Sequence, residues 1–75
     1  MENGSQIVVY DAPDRTFLVA EMYLHGEYLG LVRQEEKRGQ FAFVPVPPRL
    51  RKTAVSMRTY LDLISTAIDR LGAVA

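Results

Sequence analysis

Thr16-Phe17-Leu18-Val19-Ala20-Glu21-Met22-Tyr23-Leu24, then His25-Gly26, then Glu27-Tyr28-Leu29-Gly30-Leu31-Val32-Arg33-Gln34-Glu35 is the stretch on which the fold turns. Both arms are rich in apolar, β-branched and aromatic residues, and a single histidine-glycine pair divides them. Such a pattern specifies a β-hairpin. A two-residue loop pairs Leu24 with Glu27, Met22 with Leu29 and Ala20 with Leu31. Alternation then sets Leu18, Ala20, Met22, Leu24, Leu29 and Leu31 on one face, read as the core side. The opposite face carries Phe17, Val19, Tyr23, Tyr28 and Val32, with Glu21 among them and Gly30 across from it. Tyr23 and Tyr28 make a cross-strand pair there. An apolar-aromatic face of this kind is expected to be a protein-contact surface.

Working outward from the hairpin, Gln6-Ile-Val-Val-Tyr10 is a short β-branched run closed by Asp11-Ala12-Pro13-Asp14, which has good turn chemistry. On the other side, Glu36-Lys37-Arg38-Gly39 leads into a strand over 40–46. A three-residue Lys37-Arg38-Gly39 loop with Gly39 in the left-handed position puts Phe41 and Phe43 on the core face. A two-residue Arg38-Gly39 loop would put Ala42, Val44 and Val46 there instead. Two phenylalanines make the more useful core, which favours the longer loop. Pro45, Pro47 and Pro48 cannot donate ladder hydrogen bonds, so this strand ends early or lies at an edge.

The end of the chain reads as a helix over 54–71. Thr53 is a suitable N-cap and Gly72 a suitable residue just past the C-terminus. Met57, Leu61, Ile64, Ile68 and Leu71 recur at helical spacing, and Ala54, Tyr60 and Ala67 widen the stripe. Arg58, Thr59, Asp62, Thr66, Asp69 and Arg70 take the far side. The expected strands are therefore 6–10, 16–24, 27–35 and 40–46. The fold class that results is α+β: an antiparallel meander of three or four strands with one C-terminal amphipathic helix packed on one face, in a single domain over 1–75.

Size adds a constraint. A 75-residue chain buries only a small core, and with no cysteine it has neither disulfides nor a thiolate metal site to reinforce it. Self-association is a common remedy. No apolar run approaches the roughly 18 residues of a membrane span, and no leader pattern is present, so a cytoplasmic protein with no membrane partner is expected.

Enzymatic chemistry finds little support. The single histidine, His25, sits in a tight turn, and a metal site would have to recruit Glu21 and Glu27 from either side of it. Ser56 and Ser65 have no histidine placed to activate them. Glu35 and Glu36 are adjacent on a strand and point to opposite faces, so they cannot share acid-base work. There is no glycine-rich phosphate loop. A non-enzyme without cofactor or metal is the expectation.

The formal charge is zero, yet it is unevenly laid out. Residues 1–36 hold seven acids against Arg15 and Arg33, a balance of −5. Residues 37–58 hold Lys37, Arg38, Arg49, Arg51, Lys52 and Arg58 with no acid, a balance of +6. Asp62, Asp69 and Arg70 supply the remaining −1. The basic band is the candidate surface for nucleic acid or an acidic partner. Within it, Arg38-Gly39-Gln40-Phe41-Ala42-Phe43-Val44 resembles the RNP1 segment of RNA-recognition motifs, which implies aromatics displayed on a sheet for base stacking. Here Gln40 intervenes between the glycine and the first aromatic, and no helix precedes the segment where such motifs carry one.

Leu31 to Leu71, about half the chain, is similar to HicB-type antitoxins. Gly39-Gln40-Phe41-Ala42-Phe43-Val44-Pro45 and the helix after it carry the likeness, which implies a strand–turn–strand–helix shape. Val46-Pro47-Pro48 replaces the leucine and glycine that the family has after that proline. Two classes of function follow from the residues. The favoured one is a protein-interaction module, a homodimer or a small inhibitor or adaptor of a larger protein. The alternative is nucleic-acid binding through the 37–58 band.

Overall fold

His25 and Gly26 both adopt left-handed backbone, with φ of 50° and 81°, and so make the two-residue connection the central hairpin needs. This is seen in a computed structural model of the protein, which describes residues 4–11, 18–35, 37, 39–47, 49 and 54–74. Around that hairpin stand four strands, β1 (Ser5–Asp11), β2 (Leu18–Leu24), β3 (Glu27–Gln34) and β4 (Phe41–Pro45), followed by one helix, α1 (Met57–Val74). The strands form one antiparallel sheet in the order β1-β2-β3-β4, with the helix packed on one face. The architecture is the α+β meander that the sequence leads one to expect.

β1 pairs with β2 in an unbroken register from Ser5–Leu24 to Asp11–Leu18. β2 and β3 begin as expected, with Leu24 opposite Glu27 and Tyr23 opposite Tyr28. The register then shifts by one, and Met22 faces Gly30 rather than Leu29. Leu29 is the extra residue of a β-bulge. It inverts every later side chain of β3: Val32 is 1% exposed in the core, and Leu31 stands on the opposite face. The expected placement of these two is therefore exchanged.

Gly30 is the residue that lets the bulge pack. Its φ is 138°, and a Cβ there would lie 2.6 Å from the carbonyl oxygen of Val44. Only glycine tolerates both the backbone angle and the approach of β4.

The β3–β4 connection is one residue longer than expected. Glu35 N–H donates to the Gln40 carbonyl, and Gln34 faces Phe41, so four positions separate the last bonded pair of the two strands. Gly39 has φ 82°, the left-handed conformation anticipated for it. Phe41 and Phe43 do face the helix. β4 is an edge strand, as its prolines require.

The core is Ile7, Ala20, Met22, Leu29 and Val32 from the sheet against Leu63, Ala67 and Leu71 from the helix. Tyr60, Ile64 and Ile68 pack around them. The helix is thus turned relative to the expected stripe. Leu63 is fully buried, while Met57 and Leu61 are 70% and 57% exposed. Ser56, not Thr53, caps the N-terminus: its hydroxyl accepts the Thr59 N–H at 3.1 Å. Thr53 lies outside the described residues. Gly72 falls within the helix rather than ending it.

Three polar ties lock the layers together. Gln34 accepts the Leu18 N–H and donates to the Leu71 carbonyl in the last turns of α1. Arg70 reaches the Ile7 carbonyl on β1 at 3.2 Å. Tyr60 donates to the Leu29 carbonyl at 3.1 Å.

Candidate functional site

With the helix on one side, the other face of the sheet is set by strand alternation and register. One row across it reads Val8, Glu21, Leu31 and Val44. A second reads Gln6, Tyr23 and Tyr28, and a third Tyr10, Val19, Arg33 and Ala42. We call this the open face. Val8, Leu31 and Val44 put apolar side chains along the middle row, where a solvent-facing sheet would normally carry polar ones.

Glu21 sits at its centre. Tyr10 donates its hydroxyl to one carboxylate oxygen at 3.0 Å, and Tyr23 donates to the other at 2.9 Å. The two tyrosines come from different strands, Tyr10 diagonally across from β1 and Tyr23 two residues along β2. Tyr28 completes the cluster, its ring 5.5 Å from that of Tyr23 and tilted by 52°. This is the expected cross-strand tyrosine pair, preserved because it lies on the turn side of the bulge. The carboxylate is held by neutral hydroxyl donors and fixes two ring orientations at once.

The phenols respond to this setting. The hydrogen bond to Glu21, with partial burial and the Glu21 charge behind it, raises the Tyr23 pKa above its ordinary 10.0. Burial raises that of Tyr28, again aided by Glu21. Both hydroxyls therefore stay protonated as donors at neutral pH.

At the margins of the face, Val8 on β1 and Val44 on β4 are 36% and 40% exposed. Three strand spacings separate them, roughly 14 Å. Arg33 is held by Glu35 at 3.3 Å in a half-exposed pair, worth little to stability.

The expected contact residues separate on inspection. Tyr23 and Tyr28 are on the open face and half-buried. Val19 is on the same face but wholly buried, so it offers no contact. Val32 is under the helix and is removed from the surface altogether, as the bulge dictates. Phe17 lies outside the described residues. Sequence reasoning overlooked Tyr10, Val8, Leu31 and Val44. Tyr10 and Val8 carried a usable signal, since β1 alternates and pairing it beside β2 brings both over Glu21.

The basic band is only partly described. Lys37, Arg49 and Arg58 are exposed, and Arg38, Arg51 and Lys52 lie outside the described residues. Lys37 follows Gln34, which bonds Leu71 near the end of α1, whereas Arg58 is in its first turn beside Tyr60, which bonds Leu29. Helix rise places Arg58 about 20 Å from the Leu71 end. These two cations therefore mark opposite ends of the helix layer.

His25 and Glu27 line a hollow of about 170 Å³ with Leu24, Leu29 and Val55, at the hairpin tip beside the start of the helix. Glu21 is on the far side of the sheet, so the three residues a metal would have needed are not brought together. Among the described residues no group of three histidine, aspartate or glutamate side chains is placed to hold a metal ion. None of their helices is long and apolar enough to cross a membrane.

No protein-family model matches the chain, and no curated protein or solved structure matches it either. The likenesses to RNP1 and to HicB-type antitoxins therefore rest on the quoted residues alone. Phe41 and Phe43, which would do the stacking in the first of them, pack against the core.

Proposed function

We propose that the protein is a small non-enzymatic protein-interaction module whose contact surface is the open face of its sheet. It acts by binding, either as a homodimer or as an inhibitor or adaptor of a larger protein. One observation carries this reading: Glu21 orients Tyr10 and Tyr23, and Tyr28 packs at a tilt against the second of these. Tyrosine supplies large contact area at low entropic cost, and rings already held in place lose less freedom on binding. Val8 and Val44 give the patch apolar margins. A cytosolic setting suits a cysteine-free chain of this kind.

Nucleic-acid binding through the 37–58 band is the weaker reading, because its described cations diverge. The experiment that tests the favoured reading compares the protein with Tyr23→Ser and Tyr28→Ser variants by light scattering and affinity capture. Capture of a protein partner should be lost in the double variant while far-ultraviolet circular dichroism stays unchanged. Capture indifferent to both substitutions would overturn the assignment of the face.

A further inference from the structure

The two most exposed large apolar side chains among the described residues are neighbours. Met57 and Leu61 are one turn apart on α1, at 70% and 57% exposure. They lie to one side of the stripe that buries Leu63, Ala67 and Leu71, so the apolar arc of the helix is wider than the sheet beneath it covers. Arg58 and Asp62, also exposed, repeat the same one-turn spacing. Neither makes an ion pair among the described residues.

The arrangement is self-complementary. At 3.6 residues per turn, Arg58 and Asp62 both fall about 100° round from the Met57–Leu61 midpoint, and on the same flank. When two identical helices pack antiparallel about a two-fold axis, like flanks meet, whereas in a parallel pair opposite flanks meet. An axis at the level of Thr59 sets each Met57 against the other copy's Leu61 and leaves each Arg58 about 3 Å of helix rise from the other copy's Asp62, an offset the long arginine side chain spans. The same charges in a parallel pair would face solvent.

We propose that a second copy of this chain docks antiparallel on the first two turns of α1, through Met57 and Leu61 with two reciprocal Arg58–Asp62 pairs. The surface is on the helix side of the molecule and leaves the open face free for a different protein. A contact built on so few side chains belongs at the small end of interfaces, below about 1,200 Å², and association is accordingly weak and concentration-dependent.

Sedimentation and light scattering from micromolar to millimolar protein test it. The apparent mass should climb from the 8.5 kDa of one chain toward twice that value. Leu61→Glu should abolish the climb without changing circular dichroism, since the side chain is exposed. Arg58→Asp and Asp62→Arg should each weaken association by about tenfold, and the two together should restore it. A mass that stays at one chain throughout, a Leu61→Glu variant that still dimerises, or a double charge reversal no better than its single members would each overturn the proposal. The double reversal settles the matter should Leu61→Glu fail to fold. Tyr23→Ser and Tyr28→Ser should leave the dimer intact. Were they to dissolve it while Leu61→Glu was silent, the dimer would belong to the open face and this inference would be wrong.

Discussion

The hydroxyl of Tyr60 donates to the carbonyl of Leu29, the extra residue of the β3 bulge, at 3.1 Å. That carbonyl accepts two donors, the Val46 N–H at 3.2 Å from the strand side and the Tyr60 hydroxyl from the helix side. The same ring meets Phe43 edge-on, with centroids 5.6 Å apart. One residue thereby joins α1 to both β3 and β4. Tyr60→Phe keeps the ring contact and removes the donor. It should lower stability by about 1 kcal/mol, read from urea denaturation midpoints. An unchanged midpoint would show that the Val46 N–H alone satisfies the carbonyl and that the helix tie adds nothing.

Gly30 offers a sharper test of the bulge itself. Gly30→Ala must place a methyl group 2.6 Å from the Val44 carbonyl at a φ of 138°. Backbone strain alone costs roughly 1–3 kcal/mol, and the displaced strand adds to it. The variant should melt well below the parent and show increased amide exchange in β4. Gly26→Ala, where a Cβ would meet nothing within 4 Å, is the control and should suffer only from its left-handed angle.

That bulge also explains which parts of the fold were legible in the sequence. Period-two patterning located all four strands, and Tyr23–Tyr28 was readable because it lies between the turn and the bulge. Beyond Leu29 the pattern is ambiguous, since Leu31 and Val32 are equally apolar and a one-residue slip exchanges their faces. The slip did not reach Phe41 and Phe43, because the β3–β4 loop is also one residue longer than expected. The two shifts cancel. On the helix, Leu63 went unread because the stripe was anchored on Met57 and Leu61, the apolar residues that the sheet does not cover. The open face was legible as apolar and aromatic, but not its organisation around Glu21, which depends on β1 lying beside β2.

The start of α1 yields a third prediction. Ser56 accepts the Thr59 N–H and donates to the Thr59 hydroxyl at 2.9 Å, and no acidic side chain assists in the first turn. The cap therefore rests on one serine. Ser56→Ala should cost about 1 kcal/mol, while Ser56→Asp should keep the cap and add a favourable charge at the helix N-terminus. Thermal denaturation of the pair should bracket the parent, alanine below and aspartate at or above it.

Alkaline titration probes the tyrosine cluster directly. The folded-state pKa values of Tyr23 and Tyr28 lie above the 10.0 of an unfolded tyrosine, so the neutral phenol is favoured by folding. Such a group contributes its stability in full below pH 10.0, and the contribution is lost as pH rises through the raised folded values. Stability should therefore fall above about pH 10, with part of the phenolate absorbance appearing late, only as these two rings ionise. Glu21→Gln removes both the carboxylate acceptor of the Tyr23 bond and the charge that opposes ionisation of both rings. The late component should move back toward the ordinary tyrosine range, and the alkaline loss of stability should shrink with it. A Glu21→Gln titration superimposable on the parent would mean that burial alone holds the phenols, and that Glu21 does not organise the face.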